Sequence, residues 1–173
     1  MKILFFDTET TGFPVWGKPS DDPCQSRVTQ LHAELVDSET RGVIACISTY
    51  IRPNGWQIPE EIEKMIGITN DHCERFGISM GSVILPFLDM WKLADFRVGH
   101  NESFDMRMMR IEIFREIGDE VMADEWKAGA SQCTQAMSKN IVALPATSAM
   151  HATGWLQRQR YCSNESSRNL MGR

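Results

Sequence analysis

The chain begins with a short apolar run that stops at an acid: KILFFDTETTG, residues 2–12. Four consecutive apolar residues, Ile3–Phe6, followed by polar ones predict a short, fully buried strand. Asp7 and Glu9 stand two positions apart at its carboxyl end, so on a strand both carboxylates project from one face. That end of a strand is where open α/β sheets build their sites. Two adjacent carboxylates repel, and keeping both ionised calls for a cation. Ligands that are all oxygen favour a hard ion such as Mg²⁺ or Mn²⁺. The bland alternative, acids ending a strand in solvent, is common for so short a pattern.

The order of the remaining elements sets the fold class. Residues 12–27 hold three prolines, two glycines and no periodicity, and read as a loop. VTQLHAELVD alternates, with Thr29, Leu31, Ala33 and Leu35 on one face, as expected of a second strand. GVIACISTYIRP follows as a third strand ended by Pro53, with Gly42 suiting a hairpin-like connection. IPEEIEKMIGIT places Pro59 at a helix start, acids in its first turn and Gly67 at its end. SVILPFLDMWKLAD reads as a helix disturbed by Pro86, and FRVGHN as a short buried strand. FDMRMMRIEIFREIG is an amphipathic helix with Met106, Met109, Ile113 and Ile117 on one face and Gly118 stopping it, and DEVMADEWK is a weaker helix. Strands first, then helices interleaved with a strand, imply an α/β fold: a mixed sheet, antiparallel meander then α/β crossovers, flanked by helices.

A second chemistry-bearing stretch is VGHNESFDMRMM, residues 98–109. Here a strand delivers Gly99, His100 and Asn101 into a helix, with Asn101 or Ser103 as N-cap and Asp105 in the first turn. Alone, Asp105 reads as an acid complementing the helix dipole.

Together, FDTETTG and VGHNESFD resemble the first two motifs of the DEDD superfamily of 3′→5′ exonucleases, which includes polymerase proofreading subunits. IPEEIEKMIGIT and CTQAMSKNIVALP resemble segments of the same proteins, so the resemblance covers about residues 2–145. It implies a ribonuclease H-like fold and two-metal hydrolysis of 3′-terminal phosphodiesters in DNA or RNA. Asp7, Glu9 and Asp105 would be the catalytic, metal-binding carboxylates, holding Mg²⁺ or Mn²⁺. The backbone of Thr8, Thr10 and Thr11 would lie along the terminal nucleotide. Phe104 would stack on or wedge beside a base, with a core role as its alternative. Asn101 is grouped with the substrate-binding residues, although ordering the turn together with His100 is its simpler role. The partners implied are a single-stranded 3′ end and, by family, a polymerase or other replication protein.

The third motif of that superfamily, H-x-A-x-x-D or Y-x-x-x-D, is not found in its place. Downstream of Glu125 the only acidic side chain is Glu165. HATGWL from His151 lacks the alanine and the aspartate, Tyr161 meets Glu165 rather than an aspartate, and HAELVD from His32 precedes the second motif and reads as coincidence. The expected organisation is an exonuclease-like domain over 1–145 and an atypical tail over 146–173, truncated or frame-altered, leaving the C-terminal part of the fold incomplete. Four arginines against Glu165 give residues 156–173 a charge of +3, leaving −8 for the rest of a chain of net −5. With three carboxylates, one ion would bind weakly and turnover would be impaired. The alternative is an inactive module binding a nucleic-acid end or a partner protein. Apolar surface left uncovered would favour self-association. Five scattered cysteines read as reduced, mostly buried thiols. Without a membrane-length apolar run or signal peptide, a cytoplasmic location is expected.

Overall fold

A computed structural model describes residues 1–142, with side chains through residue 138. The chain divides into two units after Thr134, and the first contains every described strand. Its strands are β1 (Lys2–Thr10), β2 (Val28–Asp37), β3 (Val43–Tyr50), β4 (Phe96–Gly99) and β5 (Ser131–Cys133). Its helices are α1 (Glu60–Ile66), α2 (Asn70–Phe76), α3 (Met80–Leu93), α4 (Glu102–Glu116) and α5 (Glu120–Ala128). A sixth, α6 (Thr134–Val142), follows. The spatial order is β3-β2-β1-β4-β5, with β1–β3 antiparallel and β4 and β5 joining parallel. This is the mixed sheet expected from the element order.

One face of the sheet carries the core. Leu4 and Phe6 of β1 and Leu31, Ala33 and Leu35 of β2 alternate inward, as β periodicity requires, beneath α3 and α4. Trp126 of α5 closes the layer, its ring 5.4 Å from Phe6 and 5.3 Å from Phe87 at steep, edge-on angles. Its indole N–H donates to the Met106 carbonyl at 2.8 Å. A buried ion pair ties the strand carrying the second motif to the helix after it. Arg97 Nε donates to Glu102 at 2.6 Å, and the guanidinium lies 4.2 Å over the Trp126 ring.

Several expectations are corrected. β1 is buried on one face only: Phe5 is 40% exposed, because the helices among the described residues cover the Leu4–Phe6 side. α3 continues unbroken through Pro86, which the chain accommodates on an exposed side. The buried face of α4 centres on Asp105, Met108, Met109 and Glu112, leaving Met106 and Ile117 half-buried. Acids inside that face weakened the apolar pattern. The β2–β3 connection takes its left-handed residue at Arg41 (φ 58°), not Gly42, and the Asp37 carboxylate accepts from the Glu39 and Thr40 amides. Of the four described cysteines, none bridged, only Cys73 is buried, because Cys24 sits in the surface loop and Cys46 on the outer strand. The helix α2, capped by Thr69 and His72, and the strand β5 were not read from the sequence. The tail 146–173, with His151, Tyr161, Cys162 and Glu165, lies outside the described residues. No described helix is long and apolar enough to cross a membrane.

Candidate active site at the carboxyl end of the first strand

β1 loses one neighbour before the other. Its pairing with β4 ends at Phe5 opposite Val98, while its pairing with β2 continues to Thr10 opposite Val28. Beyond Phe5 the N–H groups on the β4 side therefore need another acceptor. Thr8 finds one in Asp105: its amide donates to Oδ1 at 3.0 Å and its hydroxyl to the same oxygen at 2.6 Å. Asp105 reaches this position because β4 turns sharply into α4. Asn101 adopts the left-handed conformation (φ 61°), which asparagine tolerates. A Cβ on Gly99 would come within 3.2 Å of the Glu102 backbone, so a larger residue there would crowd the turn. Asn101 occupies the N-cap position but its side chain makes no cap bond, correcting the expected capping role. His100 does order the turn, its Nδ1 3.1 Å from the hydroxyl of Thr134, which donates to the Gly99 carbonyl.

Asp7, Glu9 and Asp105 are brought close enough for their charges to act on one another. Burial pushes the Glu9 carboxyl up to about 7, and the neighbouring Asp7 charge adds to it. Burial raises Asp7 as well, opposed by His32. Asp105 is driven well above the usual carboxylate range, first by burial and then by Asp7, against the two Thr8 hydrogen bonds. The Asp105 Oδ2 is buried with no hydrogen-bond partner. A buried carboxylate oxygen without a donor, beside two more acids, suits a divalent cation. Among the described residues no three His, Cys, Asp or Glu side chains form a ready-made metal cage. The orphaned oxygen and the crowding of charge therefore carry the fit, and an all-oxygen donor set suits Mg²⁺ or Mn²⁺.

The other expected site residues flank these acids. Thr8 and Thr10 are buried, and the Thr10 hydroxyl donates to the Gly12 carbonyl at 2.9 Å. Thr11 closes the base of the following loop, donating its amide to the Arg27 carbonyl and accepting the Arg27 amide on its hydroxyl, both at 2.9 Å. Phe104 is buried, its ring edge-on to Phe13 at 6.0 Å. The sequence reading missed His32 as a neighbour of the acids: it stands directly opposite Asp7 in the β1–β2 register. Its place follows from strand pairing, which the local sequence does not specify. The Asp37 of HAELVD pairs with Lys2, far along the sheet from Asp7, so of that pattern only His32 reaches the acids.

The fold itself is the ribonuclease H-like α/β class. Escherichia coli exonuclease I in complex with a dA16 oligonucleotide matches with a TM-score of 0.65 at 21% identity, over 83% of this chain and 30% of that one. The zinc-bound form of its single-stranded DNA complex gives 0.66, also at 21% identity and with the same two shares. Its complex with the SSB C-terminus gives 0.64, again at 21% identity, 83% and 30%. The present chain thus spans about 30% of the exonuclease I chain. The sequence pattern of the exonuclease family of RNase T type matches residues 4–148. The chain belongs to that family, within the DEDD superfamily of exonucleases. A comparison with curated proteins finds no match.

Proposed function

We propose that the chain acts at single-stranded 3′ ends of DNA or RNA, hydrolysing the terminal phosphodiester with Mg²⁺ or Mn²⁺ held by Asp7, Glu9 and Asp105. The observation that carries this reading is the orphaned, buried Oδ2 of Asp105 beside two acids whose protonation burial favours. A divalent cation bound there would neutralise the three carboxylates and supply Lewis-acid stabilisation to phosphate oxygens. Thr8 fixes the Asp105 carboxylate through two donors to Oδ1, and Oδ2 is left without a hydrogen-bond partner. Burial of Asp105 excludes water from its carboxylate and strengthens the field there. In the overall reaction water adds to phosphorus, the bond to the 3′-oxygen breaks, and a nucleotide leaves a strand with a new 3′-hydroxyl. Residues 1–145 would form the nuclease part and 146–173 a distinct tail.

One observation favours a second reading, end-binding without cleavage: Glu165 is the only acid after Glu125, so the sequence given carries no third-motif aspartate. Incubating the 173-residue chain with a 5′-labelled single strand and Mg²⁺ or Mn²⁺, beside Asp7→Ala, separates the two. Shortening from the 3′ end that disappears in Asp7→Ala supports hydrolysis. Retained binding with no shortening in either protein supports the second reading, and neither binding nor shortening overturns both.

A further inference from the structure

The loop between β1 and β2 is held as a rigid body, yet it presents a large aromatic to solvent. Its ends are closed by Thr11 and Arg27. Its centre is filled by Gln25, only 3% exposed, whose amide group donates to the carbonyls of Val15 (3.1 Å), Lys18 (3.3 Å) and Pro19 (2.9 Å). The Gln25 side-chain oxygen accepts the Val15 amide at 2.9 Å. From α4, Arg110 donates to the Ser20 hydroxyl at 2.8 Å and Arg115 to the Ser26 carbonyl at 2.7 Å. A polar side chain buried solely to bond loop backbone means that the loop shape is fixed before any ligand arrives. On this frame Trp16 is 60% exposed.

Phe13, three residues earlier, touches Phe104, the neighbour of Asp105. Three residues of chain span at most about 11 Å, which bounds the separation of Trp16 from Phe13 along the loop. An exposed indole on a pre-ordered support loses little entropy on binding, and a base presents a flat π-face of matching size.

We propose that Trp16 is a stacking platform for a base near the 3′ end of a bound single strand, making the β1–β2 loop a sequence-tolerant specificity element for unpaired strands. This rests on the nucleic-acid reading above. Bases inside a duplex, stacked on both faces, cannot offer that face, so the loop favours frayed or single-stranded ends.

The test uses fluorescence anisotropy of a 5′-labelled thymidine 12-mer with the full chain, Ca²⁺ replacing Mg²⁺ to suppress cleavage. Trp16→Ala weakens binding about 5- to 150-fold, the range of base–aromatic stacking, while Trp16→Phe restores most of it. A 12-mer with abasic sites at its last four positions binds the unchanged protein more weakly, and Trp16→Ala costs little further on that probe. Thermal unfolding unchanged in Trp16→Ala separates stacking from loop damage, as expected for an exposed side chain. Equal binding of the 12-mer by Trp16→Ala and the unchanged protein overturns the assignment alone. So does an equal loss on intact and abasic strands. Failure of the unchanged protein to bind any single strand overturns the nucleic-acid reading with it.

Discussion

Replacing Asp105 by asparagine should stabilise the cation-free protein. Asp105 Oδ1 accepts both Thr8 donors, and an asparagine oxygen can keep them. Oδ2 has no donor, and Asp7 and Glu9 both raise the cost of charge there. The substitution removes a buried carboxylate whose Oδ2 has no hydrogen-bond partner. Relieving such a group is worth about 1–3 kcal/mol, or roughly 2–12 °C in Tm for a chain of this size. The sign of the pH dependence follows from linkage. The folded state holds the Glu9 proton up to about 7, whereas an ordinary glutamate releases it near 4.5. This stabilising contribution is complete below the ordinary value and is lost as pH rises through about 7. Asp105, also raised, acts in the same direction. Glu9 is common to both proteins and cancels in the comparison, so the gap between them follows Asp105 and should widen as pH rises. Added Mn²⁺ at about a hundredfold its Kd should stabilise the unchanged protein by about 2.7 kcal/mol and the variant far less. The assay is thermal unfolding in chelator and in Mn²⁺ at both pH values. An Asp105→Asn protein less stable than the unchanged one in chelator at pH 8 would refute the reasoning.

Three further outcomes follow from individual contacts. Thr8→Val removes the 2.6 Å hydroxyl bond to Asp105 and should lower Mn²⁺ affinity about 10- to 100-fold, measured by calorimetry. An unchanged affinity would mean that Thr8 does not position the carboxylate. Arg97→Met strands the buried Glu102 and should cost about 3–5 kcal/mol in urea unfolding, with part recovered by adding Glu102→Gln. No recovery in the double variant would place the loss in the Trp126 contact instead. β3 is an edge strand among the described residues, with Val43 55% and Ile44 50% exposed, so light scattering should detect concentration-dependent association that Ile44→Lys reduces. Monomeric behaviour at all concentrations would contradict this.

The legible parts of the sequence were those where one local pattern decides. Pro59 with Gly67 bounded α1, and the alternation of Thr29, Leu31, Ala33 and Leu35 identified the inward face of β2. Asp7, Glu9 and Asp105, named from motif resemblance, act on one another's charge in the folded chain. What was illegible depended on packing from distant segments. An apolar run of four residues cannot show whether one or both faces are covered, and in β1 only one is. α4 hid its buried face because Asp105 and Glu112 sit within it, each accepting a hydrogen bond from β1 or the β2 start, such as Glu112 accepting the Val28 amide at 3.1 Å. β5, three residues long, pairs only with β4 and carries no pattern of its own. Gln25 looked like one polar residue among many in a proline-rich loop, yet it organises that loop from inside.

The carboxylate cluster is tested most directly by titrating Mn²⁺ into the chain near pH 7 by calorimetry in two buffers of different ionisation enthalpy, beside Asp7→Asn. Saturable binding with proton release is predicted, because Glu9 is partly protonated near pH 7 and must give up its proton to the ion, and Asp7→Asn should abolish it. No saturable heat, or binding unchanged in Asp7→Asn, would contradict a cation site at the end of β1.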